Sequence, residues 1–180
     1  MDIEFVEFPK MPRLSREVIV TEKIDGTNAQ VHITDDGRII AGSRTRWITP
    51  ESDNFGFAAW VQENHDDLLT LGPGSHFGEW WGAGIQRRYG LSERRFSLFN
   101  VDRWGESRPD CCHVVPVLYR GVFDTRRIDD QIETLRRVGS VAAPGFMNPE
   151  GVVVFHVAGR VGFKKTIDKD EVPKALANAA

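Results

Sequence analysis

Hydrophobic and polar residues alternate in several short stretches, which is the pattern of strands with one buried face. A first strand is predicted over 18–22, and the turn-forming pair Asp25-Gly26 separates it from a second strand over 29–34. Asp35-Asp36-Gly37 then favours a tight hairpin with a return strand over 38–43. This part of the sequence therefore predicts a meander of antiparallel strands.

Two longer stretches, 54–71 and 124–137, have the apolar spacing of amphipathic helices. The core-facing residues predicted for the first are Phe57, Trp60, Val61, Leu68 and Leu71, and those for the second are Ile128, Ile132, Leu135 and Val138. Further strands are predicted over 76–80, 95–102, 114–122, 151–157 and 160–165. Strands that interleave irregularly with two helices do not fit a doubly wound parallel fold, so we expect an α+β domain of mainly antiparallel sheets.

The bulk properties narrow the class of protein. The 180 residues fit a single domain spanning 1–180, and a polar, then alanine-rich tail from residue 168 is expected to fray. No apolar run approaches the roughly 20 residues that cross a bilayer, and the acidic start does not resemble a signal peptide, so we expect a cytoplasmic protein without membrane contact. The net charge of −3 argues against indiscriminate nucleic-acid binding but leaves room for a local basic surface.

Several common kinds of site are excluded by their spacing. Cys111 and Cys112 are adjacent, which suits neither a disulfide framework nor a zinc site, and we interpret them as buried or half-buried thiols. The phosphate loop, the dinucleotide-binding glycine pattern and the serine nucleophile elbow are all absent from the sequence. A nucleotide would therefore have to be bound by other means.

Four short segments place charged residues at the edges of apolar strands. They are Lys23-Ile24-Asp25-Gly26, Phe77-Gly78-Glu79-Trp80, Glu150-Gly151-Val152-Val153-Val154 and Phe163-Lys164-Lys165. A single lysine in such a place usually packs its stem and exposes its ammonium group, with no further role. Two basic and two acidic segments together are better suited to a nucleotide with a bound metal ion.

In this order, the four segments resemble motifs of the covalent nucleotidyltransferase superfamily, which comprises DNA ligases, RNA ligases and mRNA capping enzymes. Lys23 corresponds to the lysine that takes up the nucleotide, and 96–101 resembles the family's aromatic segment. Asn28 stands where DNA ligases and capping enzymes have arginine, as it does in RNA ligases of the double-strand, nick-sealing type. Arg44 resembles the arginine that those ligases keep for the substrate's 5′-phosphate.

The resemblance implies an ATP-grasp-like nucleotidyltransferase (adenylation) domain, made of mainly antiparallel sheets with flanking helices. The chain stops soon after the last motif, so we expect no OB-fold or other C-terminal domain. The implied activity is that of an ATP-dependent RNA ligase. A lysine captures AMP from ATP, AMP passes to a 5′-phosphate end, and a 3′-hydroxyl displaces AMP to seal the strand.

The resemblance also implies a role for each charged residue. Lys23 attacks phosphorus only as a neutral amine, which a nearby metal ion and the cationic Lys164 and Lys165 would favour. The same two lysines would neutralise the phosphates. The family's last motif has one residue between its two lysines, whereas here they are adjacent. Because successive strand residues point to opposite faces, we expect Lys164 to be the one that faces the nucleotide.

The cofactors implied are ATP and Mg²⁺ or Mn²⁺, with Glu150 holding the metal ion through water. By the same resemblance Glu79 binds the ribose hydroxyls, Phe99 stacks on adenine, and Glu22 with its neighbouring backbone reads the adenine amino group. The predicted cofactor-binding residues are Glu22, Ile24, Asn28, Arg44, Glu79, Phe99, Glu150 and Lys164.

The expected partners are RNA ends or a nicked duplex, with DNA as an alternative substrate and a separate protein that supplies an end-binding function. Two other functions stay open at this point. One is a minimal ATP-dependent DNA nick ligase, and the other is a non-catalytic module that binds nucleotides or nucleic-acid ends. The tryptophans Trp47, Trp80 and Trp81 fit base stacking or, more commonly, a buried core.

Overall fold

The computed structural model describes residues 3–168 and residue 170, which form ten strands, four helices and two sheets. The strands are β1 (Glu17–Lys23), β2 (Thr27–Ile33), β3 (Ile39–Gly42), β4 (Trp47–Ile48), β5 (Gly74–Gly82), β6 (Arg94–Leu98), β7 (His113–Val114), β8 (Val117–Val122), β9 (Gly151–His156) and β10 (Val161–Thr166). The helices are α1 (Phe57–Glu63), α2 (His65–Leu69), α3 (Val101–Trp104) and α4 (Thr125–Val138). Within these residues, no helix combines the length and the apolar character needed to cross a bilayer.

The first sheet has four antiparallel strands in the order β10-β9-β1-β8. Helix α4 covers one of its faces, where the buried residues are Val18, Val20, Ile128, Ile132, Leu135, Val152 and Val154. Since side chains alternate along a strand, Ile19, Thr21 and Lys23 of β1 point to the opposite face. That opposite face is the one that borders the site described below.

The second sheet has six strands in the order β4-β3-β2-β5-β6-β7, of which only the pair β6 and β7 is parallel. Helices α1 and α2 pack against it, and Phe57 of α1 lies 5.3 Å from Trp80 and 5.1 Å from Phe96, measured between ring centroids. Strands β2 and β5 pair so that Asn28 lies opposite Glu79. The packing of α1 thus fixes the strand that carries Glu79.

The mixed α+β class and the mainly antiparallel sheets are confirmed. So are the strand meander at the start, the hairpin over 151–165 and helix α4, where Gly139 has a φ of 84° and its N–H donates to the Leu135 carbonyl. Val138 was expected in the core but is about half exposed at the last turn of α4. The predicted tail falls, apart from residues 168 and 170, outside the described residues.

The helix predicted over 54–71 is two short helices, although its predicted core residues do pack inward. Phe55 and Gly56 have positive φ angles of 51° and 72°, so the helix begins only at Phe57. Asn64 interrupts it, because the side-chain amide of Asn64 donates to the Trp60 carbonyl and its backbone leaves the helical region. Local hydrogen bonding by asparagine has therefore overridden the apolar spacing.

Two predicted strands are shorter than the alternation indicated. The strand predicted over 95–102 ends at Leu98, since the Asn100 side chain accepts from the Arg103 N–H and starts helix α3. The strand predicted over 114–122 is divided at Pro116, which has no N–H to donate. The two pieces, β7 and β8, belong to different sheets.

Leu135→Ala should lower the free energy of unfolding by about 3 kcal/mol, because Leu135 is fully buried between α4 and the four-stranded sheet. Urea denaturation measures this change. Arg137→Ala, on the exposed side of the same helix, is the control and should stay within about 0.5 kcal/mol of the parent. Equal losses in both variants would contradict the packing described for α4.

Candidate active site

A cavity of about 980 Å³ is lined by residues from both sheets. The predicted site residues that line it are Glu22, Lys23, Ile24, Asn28, Arg44, Glu79, Phe99 and Lys164. Strand β1 delivers Lys23 at its last position, and the turn over 24–26 then leads into β2 of the other sheet. The nucleophile predicted from the sequence therefore lies where the chain passes from one sheet to the other.

Lys23 and Glu150 form an ion pair in which Nζ lies 2.7 Å from Oε2. The pairing of β1 with β9 places Lys23 opposite Gly151, so Glu150 arrives at the same sheet position immediately before β9 begins. The Glu150 side chain is 5% exposed and that of Lys23 is 20% exposed. A short, charge-assisted bond to a buried carboxylate holds the lysine amine at a defined point beside the cavity.

Glu79 connects the turn after Lys23 to the six-stranded sheet. Its Oε1 accepts from the Gly26 N–H at 3.0 Å, and its Oε2 accepts from the Asn28 side-chain amide at 3.3 Å. Burial raises the pKa of Glu79 to about 7, although the positive charge of Lys23 and the Gly26 N–H oppose that rise. A Cβ atom at position 26 would lie 2.5 Å from the Trp80 carbonyl oxygen, so the close approach requires glycine.

Lys164 and Lys165 point to opposite faces of β10. Lys164 pairs with Val153 and lines the cavity, as expected for the residue facing a nucleotide. The prediction that Lys165 shares the site is wrong, because its ammonium group forms an ion pair with Asp129 of α4. The alternation of strand side chains thus leaves one cation of this motif beside Lys23.

Glu22 borders the cavity, but its carboxylate lies on the α4 side of β1 and points away from the cavity. It is buried and accepts hydrogen bonds from the Ser140 hydroxyl and from the backbone N–H groups of Val141 and Ala142, at 2.5, 2.8 and 2.9 Å. Burial raises the pKa of Glu22, while these donors act to lower it. The prediction that this side chain helps read adenine is therefore corrected, because the loop after α4 uses both of its oxygens.

The remaining predicted residues differ in how they meet the cavity. Phe99, which follows β6, is partly exposed, and Arg44 is exposed in the turn between β3 and β4. Ile24 is buried in a cluster that includes Trp81 and Tyr89. Trp80 and Trp81 are fully buried, which supports the interpretation of these tryptophans as core, whereas Trp47 is about half exposed.

Sequence reasoning missed two residues of the loop between β5 and β6. The Tyr89 hydroxyl accepts from the Asp25 N–H at 2.7 Å, and Arg87 Nε lies 3.0 Å from Asp25 Oδ2. In the sequence Arg87 stands out only as one of several arginine pairs, and such pairs are usually solvated. The contact with Asp25 spans 62 residues, so no local spacing indicates it.

In the described part of the chain, no group of three or more His, Cys, Asp or Glu side chains is arranged to hold a metal ion. Cations that accompany nucleotides are commonly bound through one or two carboxylates, with waters and phosphate oxygens as the other ligands. The buried carboxylate of Glu150 beside the cavity fits a cation of that kind. Cys111 is half-buried and Cys112 is buried, as predicted.

Comparison with known proteins gives a family and several related folds. A family model described as RNA ligase matches residues 16–170. Structures of Naegleria gruberi RNA ligase share the fold. A variant with ATP and Mn has a TM-score of 0.63 and 20% identity, and the match covers 86% of this chain and 51% of that chain. The values are 0.64, 19%, 93% and 52% for a variant with AMP and Mn, and 0.59, 21%, 84% and 50% for the enzyme with PPi. The chain thus spans about half the length of these relatives. No curated protein shows significant similarity to this sequence.

The raised pKa of Glu79 makes a prediction about stability. Between about pH 4.5 and pH 7 the folded protein keeps a proton that the unfolded chain has lost, so this carboxyl lowers the free energy of unfolding as pH rises through that window. Glu79→Gln removes the titration. Between pH 5 and pH 8, we expect the variant to lose about 2 kcal/mol less unfolding free energy than the parent, as measured by urea denaturation. Parallel pH curves for the two proteins would contradict it.

Proposed function

Because the chain belongs to the RNA ligase family, we propose that it is the catalytic core of an ATP-dependent RNA ligase in which Lys23 captures AMP. The observation that carries this proposal is the bond of 2.7 Å between Lys23 Nζ and the buried Glu150 carboxylate. This pair lies beside a cavity that Lys164 and Glu79 also line. A nucleophile, a neutralising cation and two carboxylates are the groups that nucleotidyl transfer needs.

We also propose that the two sheets form an ATP-grasp-like nucleotidyltransferase domain. In support, the nucleotide-sized cavity has one wall from the four-stranded sheet and another from the six-stranded sheet. The similarity to Naegleria gruberi RNA ligase, at TM-scores near 0.6, covers most of the chain. The motif residues reach this cavity from β1, β5 and β10, in agreement with a site built between two sheets.

In the proposed first step, Lys23 Nζ attacks the α-phosphorus of ATP. A phosphorus–nitrogen bond forms, the bond from the α-phosphorus to the bridging oxygen breaks, and pyrophosphate leaves with the electron pair. Glu150 orients the amine and stands at hydrogen-bond distance to take its proton. Lys164, on the same face of the sheet, offsets the charge that builds up on the phosphate oxygens.

The proposed cofactors are ATP and a divalent cation, Mg²⁺ or Mn²⁺. Naegleria gruberi RNA ligase has been solved with ATP and Mn and with AMP and Mn, which supports both choices. Glu150 would hold the cation through water, together with phosphate oxygens of the nucleotide. When bound, the cation would favour the neutral amine of Lys23 and polarise the phosphate.

The remaining cavity residues have proposed roles in nucleotide and end recognition. Phe99 is partly exposed at the cavity and would stack on adenine, and Glu79 would bind the ribose hydroxyls. Ile24 and Asn28 would contact the nucleotide from the turn after the nucleophile. Arg44 would bind the 5′-phosphate of the strand that receives AMP, since it is exposed at the same cavity.

The later steps follow from this arrangement as proposals for the whole protein. AMP passes from Lys23 to a 5′-phosphate, and a 3′-hydroxyl then displaces AMP to join the strand, with RNA ends or a nicked duplex as substrate. Asn28 supports an RNA ligase over a DNA nick ligase through the family resemblance alone. The Lys23–Glu150 ion pair disfavours the alternative of a non-catalytic binding module, since a lysine that only binds a ligand needs no buried carboxylate as its partner.

Lys23→Ala should abolish the transfer of AMP from ATP to the protein, because it removes the amine that forms the phosphoramidate bond in the proposed first step. Lys164→Ala should slow the transfer about a hundredfold, since it removes the cation beside the phosphates. Intact-mass spectrometry after incubation with ATP and Mn²⁺ measures the adduct, and excess pyrophosphate should remove it.

Lys165→Ala is the matched control, because Lys165 has the same charge one position along β10 but pairs with Asp129 on the other face. Its rate of AMP transfer should stay within about twofold of the parent, as for exposed surface changes. If the Lys23→Ala variant still acquires AMP, Lys23 is not the nucleophile. The absence of any adduct in the parent protein would favour the binding module.

Sealing of a nicked duplex should be at least about tenfold faster when the nicked strand is RNA than when it is DNA, since a 2′-hydroxyl lets a protein distinguish the two. The same nick in RNA, DNA and hybrid duplexes, compared at one salt concentration, measures this preference by gel electrophoresis. A faster reaction on DNA would make the chain a minimal DNA nick ligase.

A further inference from the structure

The loop between β5 and β6 is held in an unusual backbone conformation. Gln86, Arg88 and Tyr89 all have positive φ angles, of 43°, 59° and 51°. For residues other than glycine such angles are uncommon and persist where surrounding contacts fix them. Tyr89 is 2% exposed and supplies one such contact through its hydroxyl, which accepts from the Asp25 N–H. The loop is thus fastened to the turn that follows the proposed nucleophile.

Arg87, between these residues, contacts two separate parts of the chain. Its Nε donates to Asp25 Oδ2 at 3.0 Å. Its Nη1 lies 2.9 Å from the Asn148 carbonyl, 2.9 Å from Asn148 Oδ1 and 3.3 Å from the Pro149 carbonyl. The Arg87 side chain is 26% exposed and that of Asp25 is 20% exposed, so both charges are largely withdrawn from water.

Each of the two segments adjoins one member of the proposed reacting pair. Asp25 lies two residues after Lys23, and Asn148 and Pro149 directly precede Glu150. We propose that Arg87 is a positioning residue, which fixes the Lys23 amine relative to the Glu150 carboxylate by tying together the backbone on either side of them. This inference rests on the proposed function, in which Lys23 is the nucleophile.

The geometry explains why an arginine serves here. Its guanidinium group is planar and presents several N–H donors in a fixed fork, so one side chain meets a carboxylate and two backbone carbonyls at once. A lysine has a single ammonium group on a flexible stem and lacks this fixed spread of donors. Arg87 does not line the cavity, so its effect on the reaction passes through Asp25 and the segment before Glu150.

Arg87→Ala should lower the maximum rate of lysyl-AMP formation by about a hundredfold, since a displacement of about 1 Å between reacting groups has that effect. The ATP concentration at half-maximal rate should change less than about threefold, because the residues that line the cavity are retained. Arg87→Lys, which keeps the stem and the charge, should recover only a small part of the rate. Rapid-quench measurements with labelled ATP at saturating Mn²⁺ give both quantities.

Arg88→Ala is the matched control, because it removes the same charge from the adjacent position. Within the described residues the Arg88 side chain is exposed and makes no hydrogen bond or ion pair. Its rate should stay within about twofold of the parent. A parent-like rate in both Arg87 variants would overturn the positioning role while leaving the proposed function intact, whereas an unlabelled parent protein would overturn the proposed function itself.

A double variant separates positioning from a general loss of structure. If Arg87 acts through Asp25, Asp25→Asn combined with Arg87→Ala should react at nearly the rate of the slower single variant, since both changes break the contact between Arg87 and Asp25. Rates that fall by the product of the single effects would show that Arg87 does not act through Asp25.

Hydrogen exchange tests the same contact without any reaction. In Arg87→Ala the backbone amides of residues 24–28, 148, 150 and 151 should exchange several-fold faster than in the parent, and in Arg88→Ala they should not. Unchanged exchange of both segments in Arg87→Ala would overturn the inference, whether or not the protein is labelled by ATP. Faster exchange across the entire chain would show a general loss of stability in place of a local tie.

Discussion

The ion pair between Lys23 and Glu150 is the constraint on which the arrangement of the site depends. A buried carboxylate is costly unless a partner satisfies its charge, so the pair favours the alignment of β1 with β9 in which Lys23 lies opposite Gly151. A slip of one residue would turn Lys23 toward α4 and leave the carboxylate without its cation. The strand register and the geometry of the proposed reaction therefore depend on the same contact.

A second carboxylate extends this constraint to the other sheet. Glu79 comes from β5, yet it holds the Gly26 N–H in the turn directly after β1. The turn cannot shift without losing that bond, and a side chain at position 26 would collide with the backbone of β5. The proposed nucleophile is thus fixed from the four-stranded sheet by Glu150 and from the six-stranded sheet by Glu79.

Local pattern was enough to predict much of the fold, and the motif resemblance named most of its site residues among those that line the cavity. Alternation of side chains is a property of neighbouring residues, so it predicted the meander, the last hairpin and the orientation of Lys164. It failed where a distant or competing interaction decides, as when Asn64 breaks a helix or the loop after α4 binds the Glu22 carboxylate. The contacts of Arg87 could not be predicted from neighbouring residues, because its partners lie about 60 residues away on either side in sequence.

The distance in sequence between the reacting groups has a consequence for biosynthesis. Lys23 and Glu150 are 127 residues apart in sequence. The strand whose pairing with β1 brings them together, β9, begins only at Gly151. During translation the lysine leaves the ribosome long before its partner, and long-range strand pairing is the slow part of folding. A nascent chain therefore carries the lysine without its carboxylate partner, so the proposed site can form only after β9 has been synthesised.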